Sequence, residues 1–130
     1  MKPIKINIKP ISVNQAHNST GRVYKSASYK AFEEQARLLL LANPIPKLSK
    51  GSKLKLTAIF GVSCKFDLDN CVKCFLDVLE KIYGFNDRNV EEIHIRKHRC
   101  KRGEEFIEFS LCELGIDVEK SFFQPTLFTL

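Results

Sequence analysis

Four side chains in one stretch of this chain could do chemistry together: Asp67, Asp69, Lys73 and Asp87. Mg²⁺ takes oxygen ligands and keeps several waters, so a site for it needs a few carboxylates rather than a full protein cage. If Asp67-Leu68-Asp69 is extended, both acids point to one face about 7 Å apart along the backbone. Their mutual repulsion then calls for a cation, a proton or water. Lys73 lies four residues beyond Asp69, one helical turn away on the same face. An ammonium there can hold a phosphate or stabilise charge that develops on it. On a chain with a net charge of +6, this grouping reads as Mg²⁺-dependent phosphodiester chemistry, with Mn²⁺ as the alternative ion. The plainer reading, a helix cap followed by a surface lysine, stays open on these residues alone.

The elements that must position these groups are legible from periodicity. Residues 2–9 alternate Ile4, Ile6 and Ile8 with polar residues, the period of a half-buried strand. Residues 10–27 form a long polar loop, of a kind that often carries function. From Ser28 to Leu41 the pattern is helical, with Phe32, Ala36, Leu39 and Leu40 on one face, and Asn43-Pro44-Ile45-Pro46 ends it. Residues 54–60 read as a second strand. Val72, Phe75, Leu76, Leu79 and Tyr83 recur at helical spacing over 70–83, with Asp69 as N-cap and Gly84 as the stop. Residues 90–99 and 105–112 read as strands joined by a hairpin turn at Lys101-Arg102-Gly103. The expected fold is α+β, ordered β-α-β-α-β-β, with a small mixed sheet packed against two helices.

At 130 residues with 44% hydrophobic side chains, the chain suits one domain with a real core. No apolar run approaches the roughly 20 residues that span a bilayer, and no signal-peptide core opens the chain. A cytoplasmic setting without membrane attachment is expected. Five cysteines, odd in number and irregularly spaced, fit buried reduced thiols. A zinc site from Cys71, Cys74, His94 and His98 fails on geometry, because the cysteines fall in a helix and the histidines in a strand, too far along the chain for a common Cys₂His₂ finger. The positive balance lies in residues 1–112, since 113–130 hold only Lys120 against Glu113, Asp117 and Glu119. That basic body suits a polyanion.

Taken as a whole, the segment is more specific. Asp67-Leu68-Asp69-Asn70, Lys73, Asp77, and then Gly84-Phe85-Asn86-Asp87 with Val90 resemble the RusA family of Holliday-junction resolvases. Pro10-Ile11-Ser12-Val13-Asn14 is similar to the family's Pro-x-Ser-x-Asn motif. Arg22 with Tyr24-Lys25-Ser26 resembles its basic segment. The resemblance covers roughly residues 4–112 and implies an endonuclease domain over 1–112. It implies Asp67, Asp69 and Asp87 as metal-binding catalytic carboxylates, Lys73 as the essential lysine, and Asn70 beside it. Two departures stand out: Asn86 takes the place of the first acid in the family's paired turn, and the basic lead into the motif is reduced to Cys64-Lys65-Phe66. Asn14, Arg22, Lys25, Lys65 and Arg99 are the candidate DNA contacts, and contacts to phosphates make binding salt-dependent.

The family is expected to be homodimeric and to resolve four-way DNA junctions by paired symmetric nicks in recombination and repair. Geometry gives a separate argument for two copies. A 70–83 helix is about 21 Å long, and residues 84–87 reach at most about 14 Å. On those lengths Asp87 hardly meets Asp69 of its own chain, and a two-fold dimer would let it complete the partner's site.

Residues 113–130 form a C-terminal tail beyond the resemblance. Its Gln124-Pro125-Thr126-Leu127-Phe128 resembles the Gln-x-x-Leu-Phe peptide that docks bacterial replication and repair proteins on the sliding clamp. Leu127 and Phe128 would fill an apolar pocket while Gln124 bonds at its rim. Phe122 and Phe123 allow the other reading, a tail folded back on the domain. The alternative to the enzyme is a non-catalytic junction- or fork-binding protein tethered to the clamp. Acids facing phosphates favour the enzyme, because binding alone gains nothing from them. The resemblance also implies a bacterial, nucleoid-associated protein, chromosomal or prophage-borne.

Overall fold

The computed structural model describes residues 1–12, 26–65 and 67–114. Six main elements follow in the expected order: β1 (Ile4–Ile6), α1 (Ala27–Leu41), β2 (Leu54–Val62), α2 (Leu68–Tyr83), β3 (Val90–Arg99) and β4 (Phe106–Glu113), with a 3₁₀ turn at Asp87–Asn89 before β3. The four strands form one mixed sheet in the order β1-β4-β2-β3. β3 runs parallel to β2, while β4 is antiparallel to both β1 and β2.

The strand order corrects one expectation. β3 and β4 are consecutive but do not pair, because β2 lies between them. Lys101-Arg102-Gly103 does reverse the chain: Glu104 N–H donates to the Lys101 carbonyl at 2.9 Å, and Gly103 takes the left-handed φ of 93°. The reversal then carries the chain across the end of β2, where Ser63 donates a hydrogen bond to Glu105 at 2.6 Å. A turn signal fixes a change of direction and leaves the choice of neighbour to burial. β2 is the strand buried along most of its length (Leu54, Leu56, Thr57, Ala58, Phe60 and Val62 are buried), as its inner position requires. β3, mostly exposed, takes the edge.

Both helices cover one face of the sheet. Tyr29, Phe32, Ala36 and Leu40 of α1 join Val72, Phe75, Val78 and Leu79 of α2 over Leu56, Ala58, Phe60, Ile107, Phe109 and Leu111. Phe75 is fully buried between Phe60 and Phe109, meeting each edge to face with ring centroids at 5.9 and 5.2 Å. Such pairs add about 0.5–1.5 kcal/mol beyond the area they bury. At the far end of α2, the Tyr83 hydroxyl donates to the Asn43 carbonyl at 2.7 Å. Lys81 pairs with Glu33 of α1. The helix carrying the acids is therefore held at its middle and at its C-terminal end.

Helix boundaries shift slightly from expectation. Ser26 caps α1, its hydroxyl accepting from Tyr29 N–H at 3.1 Å. The ladder of the first strand stops at Ile6, although Ile8 and Ile11 remain in the core. Among the described residues, no helix is long and apolar enough to cross a membrane.

Candidate active site

α2 begins at Leu68, two residues earlier than its periodicity suggests, and this changes the acidic motif. Asp67, rather than Asp69, occupies the N-cap position. Its backbone carbonyl accepts from Asn70 N–H at 3.1 Å, while its side chain makes no capping bond. Asp69 already lies within the first helical turn, where the helix dipole favours a carboxylate. The two acids therefore do not share an extended segment. A helix that uses one of them as its cap turns the other onto its own surface.

From Asp69 the polar stripe of α2 continues through Lys73 and Asp77 at four-residue intervals, with Glu80 one turn further. Gly84 stops the helix in the left-handed conformation, φ 72°, its N–H donating to the Glu80 carbonyl at 3.0 Å. The chain then folds back on the last turns of the helix. Glu80 Oε2 accepts from Asp87 N–H at 3.0 Å. Asn86 Oδ1 accepts from Arg88 N–H at 2.9 Å and so caps the 3₁₀ turn. A side-chain carbonyl suffices for that role, which accounts for an asparagine where the resemblance expects an acid.

The result is an open cavity of about 480 Å³ between α2 and the edge strand. It is lined by Asp69, Val72, Lys73, Leu76, Asp77 and Asp87, with Ile93 and Ile95 of β3 opposite. Asp69 and Asp87 of one chain thus border the same cavity, which removes the geometric need for a partner's Asp87. Asp87 does not have to reach Asp69: it meets the C-terminal half of the helix, and the cavity spans the remainder. Carboxylate oxygens of Asp77, Glu80 and Asp87 lie within 4.8 Å of one another. That donor set suits a hard divalent cation.

Asp77 and Glu80 are the residues that the sequence reading left out of the metal set. The four-residue spacing from Asp69 could have flagged Asp77, but only the fold-back of Asp87 shows why it matters. Burial raises the Asp77 carboxyl above the ordinary aspartate value; Asp87 and Glu80 push the same way, while Lys73 and Lys81 oppose them. Lys73 therefore faces the cavity acids electrostatically as well as lining the space beside them.

The other candidates divide plainly. Asp67 and Lys65 are exposed beside the start of α2, and Asn70 is half-buried in its first turn. Arg99 ends β3. Asn14, Arg22 and Lys25 lie outside the described residues, as do Gln124, Leu127 and Phe128. The zinc geometry fails as expected. Cys71 and Cys74 are buried in the core beneath α2, and burial pushes both thiols up to about 11. Ile93 and Ile95 face α2, so His94 and His98 alternate to the opposite side of the sheet. There His98 packs near Phe106 with ring centroids 5.7 Å apart.

No curated protein matches the chain. The family model for Endodeoxyribonuclease RusA matches residues 7–108, a span that contains every residue of the cavity. With most of its length covered by that match, the chain belongs to the RusA family of endodeoxyribonucleases.

Proposed function

We propose that this endodeoxyribonuclease is a homodimeric, Mg²⁺-dependent resolvase that cuts four-way DNA junctions by paired symmetric nicks. The observation that carries this reading is the cavity lined by Asp69, Lys73, Asp77 and Asp87 beside the exposed edge of the sheet. Bound Mg²⁺ would activate a water and stabilise charge on the scissile phosphate. Asp69 and Asp87, with Asp67 at the helix start, are the carboxylates that would hold it, and Asp77 and Glu80 extend the oxygen donor set. Glu80 also fixes the backbone that presents Asp87. Lys73 places an ammonium on a phosphate oxygen at the same wall. Asn70 lies beside this group, while Asn14, Arg22, Lys25, Lys65 and Arg99 would contact the DNA arms.

In this reading Gln124, Leu127 and Phe128 dock the tail on the bacterial sliding clamp and bring the nuclease to forks in the nucleoid. A Leu127→Ala/Phe128→Ala variant that binds the clamp as well as the parent chain would overturn that part alone. The central experiment incubates the chain with a synthetic four-way junction and, in parallel, the matching linear duplex, with Mg²⁺ or with EDTA. Paired nicks in the junction that vanish in EDTA are expected. Equal cutting of both substrates would remove junction specificity, and undiminished cutting in EDTA would remove the metal.

A further inference from the structure

We infer that β3 is the surface through which two copies of this chain join, edge to edge and antiparallel, in a register centred on His94. The inference rests on the homodimeric reading above and gives it a location. β3 is the edge of the sheet among the described residues, and eight of its ten residues are exposed. Such an edge offers unpaired backbone N–H and C=O groups to another strand. Ile93 is 44% exposed on it, one of three large apolar side chains left in solvent among the described residues.

The charges on β3 select the partner. Charged side chains blunt an edge toward most partners and leave open a partner whose charges complement them. β3 holds Glu91 and Glu92 in its first half and Arg96, Lys97 and Arg99 in its second. Two parallel copies would set acid against acid and base against base. Two antiparallel copies set acid against base along the whole strand, which is the self-complementarity a two-fold interface requires.

The register follows from the same pattern. Centred on His94, Glu92 faces the partner copy's Arg96 and Ile93 faces Ile95, each pair occurring twice, while Glu91 is the extra residue where Leu54 and Lys55 of β2 pair with Val90 and Glu92 and stands outside this count. Centring on Ile95 sets Ile93 against Lys97 and His94 against Arg96. Centring on Ile93 sets Glu92 against His94 and gives Arg96 no acid. Only the His94 register matches both the charges and the apolar side chains. Within one chain Glu92 already bonds His94 at 3.1 Å and Glu91 approaches Lys53 at 3.8 Å. These are exposed pairs that can rearrange at little cost.

The site gains from this arrangement. Ile93 and Ile95 line the cavity, and a two-fold axis normal to the sheet keeps both helix layers on one side. The two cavities then open toward each other across a continuous sheet, each completing a wall of the other.

The test is a charge swap on the full chain, read by sedimentation equilibrium. Glu92→Arg alone and Arg96→Glu alone each create two like-charge pairs, and each is expected to raise the dimer dissociation constant by about ten- to a hundredfold. The combined Glu92→Arg/Arg96→Glu variant is expected to return to within about threefold of the parent. Single variants that dimerise like the parent, a double variant as weak as the singles, or a parent chain that is monomeric would each overturn the inference. A second measurement does not depend on charge. Across an antiparallel pair, Cα atoms lie about 4.5–5.5 Å apart, within disulfide reach. A His94→Cys chain, with the exposed Cys64 changed to serine, is therefore expected to oxidise to a covalent dimer, and its failure to do so would also overturn the register. Junction cutting by the parent chain is scored separately. If cutting fails while the swap behaves as described, the function falls and the interface stands; cutting with an unmoved dimer constant removes the interface alone.

Discussion

The two faces of α2 put opposite demands on one helix. Its inner face, with Phe75 and Leu79 fully buried, is packed between two aromatic neighbours and tolerates little change. Its outer face sets Asp69, Lys73, Asp77 and Glu80 beside open space and gathers further negative charge when Asp87 folds back. The inner face stabilises the fold; the outer face destabilises it slightly in the absence of a cation. Fold and chemistry are thus largely separable on a single element, and substitutions on each face should report mainly on one of them.

The largest effect belongs to the inner face. Phe75→Ala is expected to cost about 3–5 kcal/mol of stability, read as a lower urea midpoint, and to lose activity only in proportion to the unfolded fraction. The outer face should show the converse. Asp69→Asn is expected to lower the rate of junction cutting by about 10²–10³-fold while leaving the urea midpoint near that of the parent. A matching loss of stability would show that the two faces are coupled. Mixing Asp69→Asn chains with Asp87→Asn chains sharpens the point. Because one chain's cavity contains both acids, the isolated heterodimer has no intact site and should not recover single-strand nicking. Recovery would mean that the partner supplies Asp87.

Two smaller effects follow from the raised pKa values. Burial pushes the Cys71 and Cys74 thiols up to about 11 in the folded chain, above the ordinary thiol value. Their contribution to stability is present below the ordinary thiol pKa and is lost as the pH climbs through the folded value. Alkylation of the native protein at pH 8 should therefore label exposed Cys64 and spare both buried thiols. Asp77 follows the same sign, because its carboxyl holds its proton more tightly when folded. Its favourable contribution exists at acid pH and disappears as the group ionises. Asp77→Asn should raise stability at pH 7 by less than about 1 kcal/mol, since water screens a partly exposed group. That gain should shrink toward pH 4; a constant gain would point to packing rather than charge.

Much of this was legible in the sequence because each element carries its own period. The apolar repeat of α2, the proline stop after α1 and the glycine after Tyr83 are local signals, and each marks a real boundary to within a residue or two. The order of the acids, the lysine and the turn at Gly84-Phe85-Asn86-Asp87 could also be read, but not that this turn folds back on α2. The neighbours of β3 could not. Lys101-Arg102-Gly103 has the residues of a hairpin turn, yet strand pairing depends on which strand is the more deeply buried, and that comparison is global. The roles of Asp77 and Glu80 were hidden for a related reason: a helix surface shows which side chains share a face, while the return of Asp87 to that face depends on the turn after it.

The bond between Glu80 and Asp87 N–H has a kinetic consequence. It joins residues close in sequence, whereas the sheet is closed by pairing its first strand with its last, Ile4 opposite Phe109. Local contacts cost little loop entropy and form early, while distant ones wait for the chain ends to meet. The acidic end of the cavity can thus take shape before β1 docks, and it would be among the first parts of the chain to resemble its final form.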